Sequence, residues 1–126
     1  MENRNAFLGE FIGTFMLVFF GCGTVAVAVL FGTLVGQFQI AVVWGITITL
    51  SIYMTRHICY AHFNPAVSVA MVCSGRMKAK ELPAYLSGQA LGAFVGALGV
   101  YLLYGPSIAS YEKQRIVGSS PTGSSI

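Results

Sequence analysis

From residue 11 to residue 55 the chain carries no charged side chain, and a second such run separates Glu81 from Glu112. About 20 apolar residues cross a hydrocarbon core ~30 Å thick, so the first run is too long for one span. Gly32, Gly36, Gln37 and Gln39 interrupt it. The pattern therefore predicts one membrane helix over residues 6–31 and another over 40–58. The second run predicts a third helix over 82–104, with Pro83 in its first turn, where no backbone N–H is required.

Between the second and third spans lie ten mostly apolar residues, 65–74, flanked by Asn64 and Arg76. As a helix they would extend about 15 Å, half of the hydrocarbon core. That is too short to span and too apolar for open water, the profile of a re-entrant half-helix. Asn64 is a favoured N-cap and Pro65 a favoured first helical residue. Capping through the side-chain oxygen would leave the amide NH₂ free to donate, beside the positive end of the helix dipole. A water or an alcohol could present its oxygen there, while a cation would be repelled. The alternative is a surface loop with an incidental Asn-Pro turn.

Composition agrees with a membrane protein. Of the 126 residues 56% are hydrophobic and only 9% charged, against about 25% charged in a soluble domain. Mean hydropathy is +0.75. Ala26-Val27-Ala28 resembles a signal-peptide cleavage site, but the apolar run continues past it and Glu10 stands where a basic region should be. Arg4, Arg56, Arg76, Lys78 and Lys80 flank one side of the spans; Lys113 and Arg115 flank the other. The positive-inside rule then places the N-terminus in the cytoplasm and the C-terminus of this chain outside the cell. Cys22, Cys59 and Cys73 are dispersed, without disulfide-framework or metal-ligand spacing. The sequence calls for no catalytic residue, no metal, no cofactor and no nucleic-acid partner.

Three stretches, in order, resemble the major intrinsic protein family, the aquaporins and aquaglyceroporins. Phe7-Leu8-Gly9-Glu10-Phe11-Ile12-Gly13-Thr14 is similar to the opening of that family's first helix. Ala61-His62-Phe63-Asn64-Pro65-Ala66-Val67 is similar to its first signature loop, and Gln89-Ala90-Leu91-Gly92-Ala93 to its third helix. The resemblance covers the N-terminal half of a family channel. It implies an all-α membrane protein of three transmembrane helices plus one re-entrant half-helix carrying Asn-Pro-Ala. It further implies that Asn64, Pro65 and Ala66 mark the pore centre. The carbonyls of Tyr60, Ala61, His62 and Phe63 would line the cytoplasmic half of a polar track. Glu10 would brace the loop and Gln89 would support it. Trp44, twenty positions before Asn64, would form an apolar wall of the selectivity constriction, as in glycerol facilitators and nodulin-type members. On the residues alone, Glu10 could be an interfacial glutamate and Trp44 a belt tryptophan.

The implied activity is passive diffusion of glycerol, other small neutral solutes and water through the lipid bilayer, without catalysis. A homo-tetramer is implied once a second half completes the channel. The chain also departs from the family pattern. Arg56 and Tyr60 are large where family members carry a small residue and glycine, and Cys59 replaces a serine. Arg56 either snorkels to the surface or narrows the inner mouth. The 126 residues contain one Asn-Pro-Ala loop, and residues 105–126 resemble an extracellular connection. The family fold is an inverted repeat, which two copies of one half inserted the same way cannot reproduce. The expectation is thus a channel half that conducts only when completed. The alternatives are a non-conducting subunit that modulates full-length channels, and an unrelated re-entrant-loop transporter module.

Overall fold

The computed structural model describes residues 3–33 and 36–118. It contains four α-helices and a single 3-10 turn, Ala79–Glu81, in the order α1 (Asn3–Phe31), α2 (Gln37–Thr55), α3 (Pro65–Cys73), the turn, and α4 (Leu82–Gly118). α1, α2 and α4 are each long and apolar enough to cross a membrane. Over the described residues the protein is an all-helical integral membrane protein with three such helices and one short helix between the second and third.

Small residues decide which helices touch. A Cβ added to Gly88 would come within 2.6 Å of the Phe7 carbonyl oxygen, and one on Gly96 within 2.9 Å of the Phe15 oxygen. Gly92, between them, sits against the Phe11 carbonyl. The register advances together on both helices, so α1 and α4 run parallel, backbone against backbone. With no hydrophobic drive between helices in lipid, such close approach is what holds them. α2 packs antiparallel on another face of α1: Cys59, just beyond its end, meets Gly9, while the Trp44 ring covers Gly21. α2 turns Thr47, Ser51 and Thr55, spaced four apart, inward.

The boundaries differ from the sequence reading. α1 begins at Asn3 rather than residue 6, α3 ends at Cys73 rather than residue 74, and α2 and α4 differ in ways that carry more meaning. α2 spans Gln37–Thr55 rather than 40–58. Gln37 and Gln39, expected within the interruption, form its first turn, where a helix end has free N–H groups and polar side chains are at ease. α4 runs to Gly118 rather than stopping near 104. Pro106, just beyond the expected span, lies inside the helix. Membrane helices tolerate an internal proline when other groups re-satisfy the freed backbone. Ile108 and Tyr111, beyond it, line a groove with Val25, Val29 and Leu30 of α1, which favours continuing the helix. Of the connection expected over 105–126, residues 105–118 are helical, and residues 119–126 lie outside the described residues.

α3 covers Pro65–Cys73, nine residues in which only Ser68 is buried. It ends through a turn at Gly75, φ +71°, where glycine carries no steric penalty. Met77 then plugs into the core formed by Ala6, Cys59, Phe63 and Tyr85.

Candidate functional site

The segment from Cys59 to Asn64 has no regular structure, and a single carboxylate organises it. Glu10 on α1 is fully buried. Its Oε1 accepts the His62 N–H at 2.7 Å. Its Oε2 accepts the Phe63 N–H at 2.8 Å and a Gln89 Nε2–H from α4 at 2.7 Å. All three partners donate, so the geometry suits the ionised carboxylate. Bonds to a charged group contribute about 1.5–3 kcal/mol each. Glu10 is therefore no interfacial residue; it ties together α1, α4 and the loop.

Those bonds hold a backbone that local sterics disfavour. Ala61 (φ 54°) and Phe63 (φ 48°) are non-glycine residues in the left-handed region, at a cost of order 1–3 kcal/mol each. Space for Phe63 comes from Gly13, where any Cβ would collide with the Phe63 ring.

The clamp also fixes where the carbonyls go. In a trans peptide the C=O of one residue points opposite the N–H of the next. With the His62 and Phe63 N–H groups turned onto Glu10, the carbonyls of Ala61 and His62 point away from α1. Neither carbonyl accepts a hydrogen bond among the described residues. At the entrance, the Tyr60 N–H donates to the Tyr85 hydroxyl at 3.1 Å, and the Ala61 N–H approaches the Cys59 sulfur at 3.3 Å. The half-exposed Tyr60 ring stacks beside His62 and the fully buried Tyr85, with centroids 6.0 and 6.2 Å away.

Asn64 closes the segment in extended conformation (φ −153°, ψ 122°), and its Oδ1 accepts the Ala66 N–H at 2.9 Å. Pro65 takes the first helical position. Asn64 is solvent- or lipid-accessible in the isolated chain, and its NH₂ makes no bond among the described residues.

Behind the cap runs a polar relay that sequence reasoning did not name. Ser68 Oγ, fully buried, donates to the Asn64 carbonyl at 3.3 Å and accepts from Gln89 Nε2 at 3.0 Å. Its third neighbour is His62 Nδ1 at 3.0 Å. With the Ser68 proton on Asn64, His62 Nδ1 is the donor in that pair, an assignment made from the network. His62 Nε2 and Gln89 Oε1 are buried without partners among the described residues. Ser68 and Tyr85 had a visible signal: each lies four residues, one helical turn, from a residue already singled out, Asn64 and Gln89.

Trp44 stands apart from this cluster. It is half-buried on α2, with its ring on Gly21 of α1. Gly21 lies about 17 Å along α1 from Glu10, at 1.5 Å per residue. Arg56, at the end of α2, is exposed: its guanidinium lies over the Tyr53 ring at 4.7 Å and its Nε contacts His57 at 3.4 Å. Among the described residues, no group of three or more His, Cys, Asp or Glu side chains could hold a metal ion.

The family model described as "Major intrinsic protein" matches residues 1–124. Aquaporin NIP1-1 of Arabidopsis thaliana is 40% identical over 94% of this chain and 41% of its own length. The glycerol uptake facilitator protein of Pseudomonas aeruginosa is 39% identical over 90% of this chain and 41% of its own. Among solved structures, the aquaglyceroporin from Plasmodium falciparum superposes with a TM-score of 0.76 at 34% identity, covering 86% of this chain and 45% of that one. The chain thus spans about two-fifths of the length of these curated relatives.

Proposed function

The chain belongs to the major intrinsic protein family, and on that footing we propose that it forms the N-terminal half of a channel for passive diffusion of glycerol, small neutral solutes and water. The observation that carries this reading is the clamp on Glu10. It turns the carbonyls of Ala61 and His62 toward a common open side and delivers the chain to Asn64, whose amide has donors to spare. A hydroxylated solute would meet acceptors along the loop and a donor at its end, with the Trp44 face as an apolar wall for its carbon skeleton. Tyr60 and Phe63 continue the track, and Pro65 with Ala66 sets the start of α3. Glu10 and Gln89 support the lining without meeting the solute. The channel works as a homo-tetramer, with the N-terminus cytoplasmic and the far end of α4 outside, in keeping with the basic residues around α3.

On this reading the pore needs a second, inverted half, which is supported by the span of the relatives beyond this chain. Stopped-flow light scattering on liposomes tests it. Chain co-reconstituted with the second half of the Pseudomonas facilitator is expected to raise glycerol flux above empty vesicles, and Asn64→Ala to remove the gain. Chain alone is expected to leave flux at background. Flux from the chain alone would overturn the need for a second half. No flux from inserted, folded, co-reconstituted protein would overturn the transport reading and favour a non-conducting subunit.

A further inference from the structure

The segment joining α3 to α4 presents three cations that no other group uses among the described residues. Arg76, Lys78 and Lys80 are exposed, alternating with Met77, which is 5% exposed and sits in the core beside Ala6, Cys59, Phe63 and Tyr85. The Arg76 and Met77 N–H groups both donate to the Met71 carbonyl, at 2.9 and 3.0 Å. Glu81 N–H bonds the Lys78 carbonyl at 2.9 Å and closes the 3-10 turn. The backbone is thus pinned from below and its charges turned outward. None of the three cations makes an ion pair or side-chain hydrogen bond among the described residues, and the neighbouring acid, Glu81, is buried. The other cations near this end differ: Arg56 lies on Tyr53 and contacts His57, and Arg4 has an interaction of its own.

Position selects the ligand. The Met77 plug contacts the core beside Ala6, near the start of α1, and Cys59, just past the end of α2, while α4 begins directly after the turn. The strap therefore lies level with the ends of three membrane-crossing helices, where lipid headgroups sit. Phosphate suits these side chains: a guanidinium binds it through two parallel N–H bonds and ammonium groups act as point charges beside it. We propose that residues 74–81 form a docking strap for the phosphate headgroups of anionic phospholipids in the leaflet they face. This inference stands apart from the transport reading and requires no second half.

Native mass spectrometry of the detergent-solubilised chain, titrated with phosphatidylglycerol or phosphatidylcholine, tests the strap. The wild type is expected to retain phosphatidylglycerol preferentially. The variant R76Q/K78Q/K80Q is expected to lose about a hundredfold of that preference, at roughly fivefold per cation. Lys78→Arg should keep it, and Lys113→Gln, on the far segment of α4, should leave it unchanged. If the triple variant does not fold, the three single glutamine variants carry the test at about fivefold each. Undiminished preference in the variants would overturn the proposal, as would an equal loss from Lys113→Gln, which would mean a diffuse charge effect. Displacement of phosphatidylglycerol by millimolar inorganic phosphate would also overturn it, by showing a free-anion site instead of a headgroup strap.

Discussion

α1 is held on two sides by opposite means. Along α4 it meets Gly88, Gly92 and Gly96, and the seam is mostly backbone against backbone, with the Cβ atoms of Glu10 and Val18 alongside. Toward the loop it offers Glu10, and the seam consists of charge-assisted hydrogen bonds around one carboxylate, which takes two loop N–H groups and the Gln89 amide of α4. The first seam tolerates no added volume and is indifferent to chemistry beyond that. The second tolerates small changes of shape but not of donor and acceptor. Both sit on one helix within three turns, so substitutions can separate the two kinds of stabilisation.

The largest effect is expected from Gly92→Leu. Its side chain has no room against the Phe11 carbonyl, backbone cannot yield as a flexible side chain can, and overpacking alone costs ~1–3 kcal/mol even where neighbours adjust. The helices must part, so the variant should fail to give a cooperatively melting species in detergent. Glu10→Gln comes next, at about 3 kcal/mol. The isosteric amide keeps one accepting oxygen and sets its NH₂ either against the His62 N–H or against the Phe63 and Gln89 N–H groups. The α1–α4 seam should survive, and hydrogen exchange should accelerate at the His62 and Phe63 amides far more than along α4. An even loss of protection across both would break the comparison.

Smaller effects sharpen it. Asn64→Ala removes the acceptor for the Ala66 N–H and should cost about 1 kcal/mol, as a lost N-cap does, with faster exchange confined to the first turn of α3. Tyr85→Phe removes only the hydroxyl that holds the Tyr60 N–H. It should cost about 1 kcal/mol or less, read as a small drop in melting temperature with the Gly seam intact.

Much of this architecture is legible in the amino-acid sequence. Uncharged runs too long or too short for one span announce three membrane helices and a half-helix, and Asn64-Pro65 marks where the latter begins. Glu10 is conspicuous because an ionisable group in a span needs a partner. The end of α4 is not legible, because Gly105-Pro106 is a local stop signal and the groove against α1 that outweighs it is tertiary. The relay through Ser68 and the hydroxyl of Tyr85 is legible only as a one-turn spacing from Asn64 and Gln89, which marks a shared helix face and not a bond. A serine in an apolar helix and a tyrosine near a membrane surface look ordinary until the loop between them is bent. That bend depends on left-handed Ala61 and Phe63, which nothing in their side chains foretells.

The partners of Glu10 lie 52, 53 and 79 residues further along the chain. During synthesis the first helix therefore enters the bilayer long before its donors exist. Nine residues of α3 cannot be inserted as a span of their own, and the loop that carries His62 and Phe63 gains its final anchor only when Gln89 arrives. The fold thus has a built-in order of events. The glutamate waits for its last donor until 79 further residues have been made, and the half-helix can settle to its full depth only after the helix that follows it has been delivered.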